Sequence, residues 1–114
     1  MSFFKSELVQ AEMVEISRLQ DDIYGSIFRF HEMSKDDKIN HVTLLETLLH
    51  KQQILYTRLS LSDDPEAREM KNRVSQSAES LGLPPSIDMN VIFSNMVKML
   101  EEMKQQIDKT GSDL

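Results

Sequence analysis

Apolar residues recur along this chain at steps of three and four, and no stretch alternates apolar with polar as a half-buried strand would. Four periodic segments result. The first predicts a helix over about 3–30, with Val9, Met13, Ile16, Ile23, Ile27 and Phe30 as its inner stripe and Gln20 filling the gap. Gly25 lies inside it at a cost of about 1 kcal/mol relative to Ala, which points to close helix packing or a local bend. The second helix is predicted over about 35–60. Ser34 is a natural N-cap, Asp37 follows three residues on, and the stripe is Val42, Leu45, Leu48, Leu49, Leu55, Tyr56 and Leu59. The third covers about 65–81. Asp64 caps it, Pro65 takes the first helical position, and Ala67, Met70, Val74, Ala78 and Leu81 share a face. Gly82 fits the left-handed residue that closes a helix; Pro84 bars continuation, and Pro85 falls in the same break. The fourth covers about 88–108, where Met89, Phe93, Met96, Leu100, Met103 and Ile107 alternate steps of four and three. The polar tail 109–114 is expected to fray.

Short connections favour antiparallel neighbours. The pattern therefore predicts one all-α domain over 1–114, an antiparallel four-helix up-down bundle. A long helix 1/helix 2 hairpin is joined by a shorter helix 3 and a Met-rich helix 4.

The width of each apolar arc decides what it can bury. On helix 4, positions from Met99 through Met96 to Val97 cover about 160° at 100° per residue, which suits a helix touching two neighbours. Its methionines are expected in the core, where the side chain fills irregular gaps; a groove for a partner helix is the alternative. Helix 1 has a clearer surplus. Phe3, Val14, Tyr24 and Phe28 lie off its inner stripe, and helix 2 adds Ile39 and Ile54 outside its arc. A helix apolar on two sides must bury both. Either helices 3 and 4 cover that second side or another chain does, so these six residues are the candidate dimer or partner contacts. Polar residues also fall on apolar faces: Glu12, Gln20, His41 and Gln52. With a hairpin turning at His31–Ser34, Glu12 faces Gln52, Glu15 faces His50 and Tyr24 faces His41. A buried Glu12–Gln52 pair would fix helix alignment at some cost in stability.

Composition narrows the chemistry. The chain has 114 residues and a net charge of −6, from 19 acids and 13 bases. The bases are scattered, which points away from nucleic acid and from anionic membrane surface as partners. No apolar run approaches the roughly 18 residues of a membrane span, and "MSFFKSELVQ" lacks the apolar core of a signal peptide. The absence of cysteine excludes disulfides and thiolate metal sites and fits a cytoplasmic setting. A ferritin-like site needs Glu-x-x-His, yet Phe28, Lys38 and Thr47 stand three before His31, His41 and His50. All-α pyrophosphohydrolases use two acidic pairs on neighbouring helices to hold magnesium; here Glu12 and Glu15 form one, and helix 2 offers only Glu46. Glu46 and His50 are one turn apart but lie off the apolar arc, as a surface ion pair does. No nucleophile sits in a strand-to-helix elbow, and "LGLPP" lacks the spacing of a phosphate loop. The expectation is a non-enzymatic protein–protein interaction or adaptor protein, homodimeric, with no catalytic, cofactor or metal site. The alternative is a metal- or nucleotide-binding bundle built on Glu12 and Glu15.

The stretches "SFFKSELVQAEMVEISRLQ", "LYTRLSLSDDPEA" and "DMNVIFSNM" resemble an uncharacterised cyanobacterial family of short helical proteins, described as a domain of unknown function. The likeness extends over nearly the whole chain. It implies a cyanobacterial or cyanophage source and a soluble cytoplasmic protein, and it supplies no activity or site residue.

Overall fold

A computed structural model describes residues 2–84 and 88–110. Among these residues all regular structure is helical: α1 (Glu7–Ser26), α2 (Lys35–Leu61), α3 (Pro65–Ser80) and α4 (Met89–Thr110). Two 3₁₀ segments, Phe3–Lys5 and Ile27–Glu32, bracket α1.

Local chemistry sets the helix ends. Ser34 Oγ accepts the Asp37 N–H at 3.2 Å, and Asp64 Oδ1 accepts the Glu66 N–H at 3.4 Å beside Pro65. Asp88 Oδ1 accepts the Asn90 N–H at 2.9 Å. At the end of α3, Gly82 takes a φ of 94°; its N–H reaches the Glu79 carbonyl at 2.9 Å and that of Leu83 reaches Ala78 at 3.1 Å. This Schellman closure satisfies carbonyls the helix leaves open. Residues 109 and 110 continue α4, while the expected fraying of 111–114, like Pro85, lies outside the described residues.

The first predicted helix is interrupted. Ser6 caps α1 through the Val9 N–H at 3.5 Å, leaving Phe3 in a separate 3₁₀ turn. A Cβ added at Gly25 would meet nothing within 4 Å, so this glycine serves no close helix approach. One residue on, Ser26 Oγ donates to the Asp22 and Ile23 carbonyls, both at 3.3 Å. Such back-bonding bends helices, and the winding tightens to 3₁₀ from Ile27.

Helix α2 is the hub against which the other three pack. It runs antiparallel to α1, as the pairs Glu15–Lys51 (2.6 Å), Glu12–Arg58 (2.9 Å) and Ser26–His41 (3.3 Å) require. It also runs antiparallel to α4, through Lys35–Asp108 (3.3 Å), Glu46–Lys104 (2.8 Å) and the Tyr56 and Phe93 rings 6.1 Å apart. Around α2, Lys51 and Arg58 lie about 120–160° from Lys35 and Glu46. So α1 and α4 occupy nearly opposite flanks and make at most marginal contact with each other. The smallest dimension, 19 Å, is that of two helix layers. The arrangement is all-helical, an open α1–α2–α4 layer with α3 over part of one face, where the sequence led to the expectation of an antiparallel four-helix up-down bundle. The core centres on Ile16, Ile23 and Leu48, with Leu19, Leu45 and Leu55 packed against it. Val42, Ala67 and Ile107 are fully buried elsewhere.

Candidate functional site

The two faces of the layer differ in chemistry. The arc of α2 from Lys35 and Glu46 round to Lys51 and Arg58 holds the ion pairs to both flanking helices. Roughly opposite lie Leu45, Gln52 and Leu59. Met13 and Tyr24 of α1, three turns apart on one stripe, wall that second face on one side. Met96 and Met103 of α4, two turns apart, wall it on the other. Helix α3 crosses only one end and leaves a cleft on each side. The first, about 270 Å³, is lined by Phe3, Phe4, Met13, Gln52, Tyr56, Met70, Val74 and Phe93 among others. The second, about 520 Å³, lies between α3 and α4 and is lined chiefly by Met70, Val74, Leu81, Met89, Ile92 and Met96.

The methionine stripe departs from its expected place. Met96, Met99 and Met103 are 36%, 65% and 42% exposed, and among the described side chains of α4 only Phe93 and Ile107 are buried. Helix α4 packs substantially on α2 alone. One neighbour occupies only part of its apolar arc, so the remaining sector faces outward.

The six candidate contacts do not converge on one patch. Val14, Tyr24, Phe28 and Ile54 are exposed, Phe28 at 94%; Phe3 and Ile39 are partly buried. Tyr24 walls the apolar face. Ile54 lies on the ion-paired side, in a cleft of about 220 Å³ with Glu12, Glu15, Lys51 and Arg58. Phe28 belongs to the second 3₁₀ segment. The Phe3 N–H donates to the Asp64 carboxylate, and Ser2 Oγ donates to Glu66 at 3.1 Å, bracing the start of the chain on α3. That backbone hydrogen bond holds the Asp64 carboxyl below its ordinary range.

Glu12 and Glu15 of α1 are each matched to a base. Glu12 Oε1 accepts from Arg58 Nε, while Oε2 is buried with no hydrogen-bond partner. The expected approach to Gln52 is not realised as a hydrogen bond; Gln52 instead lines the apolar cleft. Glu15 accepts from Lys51 Nζ, one position beyond the His50 expected, and this bond lowers its carboxyl pKa. Glu46 accepts from Lys104 rather than pairing with His50. Among the described residues no group of three His, Cys, Asp or Glu side chains is placed to hold a metal ion.

One buried residue, Lys38, went unread in the sequence. Lys38 is fully buried, its Nζ 5.6 Å from the Phe30 ring, and His41 sits 5.5 Å from the same ring. Burial pushes the His41 pKa below its ordinary value. The visible signal was the place of Lys38 one turn before Val42 on the apolar side.

Among the described residues no helix is long and apolar enough to cross a membrane. No curated protein and no solved structure matches the chain. A family model described as a domain of unknown function, DUF1825, matches residues 1–107, and the chain belongs to that family.

Proposed function

We propose that this protein works by protein–protein contact, as a non-enzymatic homodimeric module whose second copy completes the antiparallel up-down bundle. The observation that carries this reading is surplus surface. The chain exposes 7897 Å², whereas a compact monomer of 13.2 kDa exposes about 6,400 Å². Its radius of gyration, 16.4 Å, likewise exceeds the roughly 13 Å of a compact domain this long. The surplus, about 1,500 Å² per chain, is more than the roughly 800 Å² each partner gives to a standard interface. The exposed surface includes large apolar side chains, among them Phe28, Leu61, Leu81 and Met99, which water penalises. The pairing of Glu12 and Glu15 with Arg58 and Lys51 argues against the metal- or nucleotide-binding alternative, because their charge is already met. A cytoplasmic location and a cyanobacterial source belong to the same reading. Light scattering across a wide concentration range tests it. The expected mass is twice that of the chain; a monomer at every concentration overturns the proposal.

A further inference from the structure

Given the dimer proposed above, we infer that the two copies meet through the apolar face between α1 and α4, each seating the Met99–Met103 sector of its α4 over Leu45 and against Tyr24 of the other. Three observations select this face. The first is charge. The opposite face carries Glu12, Glu15, Lys51 and Arg58, and covering it would strip water from paired charges for little return. The apolar face presents Met13, Tyr24, Leu45, Met96 and Met103, with no carboxylate among them. That matters for two identical chains of net charge −6 each, which must keep acids out of the centre of contact.

The second is shape. Helix α3 lies over the end at Gln52 and Tyr56, and Leu45 lines neither of the clefts beside it. The antiparallel pairs put Tyr24, near Ser26–His41, and Met103, next to Lys104–Glu46, at similar levels on either side of Leu45. With α1 and α4 each about 8–10 Å from α2, the trough between them admits one helix. The third is area. Two surpluses of about 1,500 Å² together fall within the 2,000–5,000 Å² of obligate homodimers. A two-fold contact needs a self-complementary patch, and unbranched, polarizable methionines adapt to one another readily.

Full-length variants test the face. Met99→Glu/Met103→Glu should weaken the dimer at least about thirty-fold, measured by sedimentation equilibrium, while Ile54→Lys on the opposite face leaves it unchanged. Because the chain lacks cysteine, Tyr24→Cys and Met103→Cys chains mixed in equal amounts report geometry directly. Oxidation should join them into a covalent heterodimer, and an Ile54→Cys chain should stay uncoupled in the same mixture. This crosslink also decides the matter if the double Glu variant loses helicity. A wild-type dimer that survives both Glu substitutions in folded form, or that couples through position 54, overturns the face and leaves the dimer standing. A wild-type monomer sinks the dimer itself.

Discussion

Replacing Glu12 by Met and, separately, Arg58 by Met tests how α1 is held on α2. The Glu12 side chain is only 19% exposed, whereas that of Arg58 is 46% exposed. Oε1 has its partner at 2.9 Å, but Oε2 is shut away from water with none. A buried acceptor left unsatisfied costs about 1–3 kcal/mol. The ion pair, half-hydrated at its guanidinium end, returns about 0–1 kcal/mol. Glu12→Met relieves that cost and forfeits only the smaller gain of the pair, so the variant should be more stable by about 1 kcal/mol, or roughly 3–6 °C at this chain length. Arg58→Met does the reverse. It strands the whole carboxylate and should cost about 1–3 kcal/mol. The double variant should return to near the Glu12→Met value. Urea unfolding followed by circular dichroism measures all three, at one fixed chain concentration so that self-association contributes equally. A Glu12→Met protein destabilised by more than about 1 kcal/mol, or a neutral Arg58→Met, would refute the reasoning. Oε2 would then have a partner in solution.

Other consequences can be checked the same way. Ile107→Ala, at a fully buried site on α4, should cost about 2–5 kcal/mol. Hydrogen exchange should show α2 amides protected longest, because the other three helices all pack on it; α2 amides opening before those of α1 and α4 contradict the layer. Gly82→Ala should cost about 1–2 kcal/mol from backbone conformation alone, since open space surrounds the site and φ is 94°; an unchanged unfolding midpoint excludes that conformation. His41 is held neutral by burial. The unfolded chain takes up its proton near pH 6.5 and the folded chain resists until lower pH. Stability is therefore complete above about pH 7 and falls as pH drops through 6.5 towards the lowered folded value. Urea midpoints between pH 7.5 and 5.5 should show this slope in wild type and lose part of it in His41→Gln; identical slopes rule out the assignment.

The helix ends were legible in the sequence because capping is local. Ser34, Asp64 and Gly82 act through atoms within a few residues, and each does what its position implied. Which helices touch was not legible. The arc on α4 serves equally for two neighbours or for one neighbour and an open face, and periodicity measures the arc without naming its occupant. Register failed for a related reason. Pairing residues across a hairpin requires an unbroken first helix, but 3₁₀ winding rises about 2.0 Å per residue against 1.5 Å, and the segment Ile27–Glu32 displaces α2 along α1. Lys38 was hidden by its type: a lysine is read as solvated, although its aliphatic stem packs well against an aromatic ring.

The place of α2 at the centre has a consequence during protein synthesis. Both α1 and the brace from Phe3 to Asp64 can assemble while the chain is still leaving the ribosome, because every residue they need precedes α4. The flank of α2 that carries Val42, Leu49 and Tyr56 must wait for the last helix to emerge. For that interval the nascent chain offers a greasy ridge to whatever is nearby, and chaperones or a neighbouring nascent copy have their first access there.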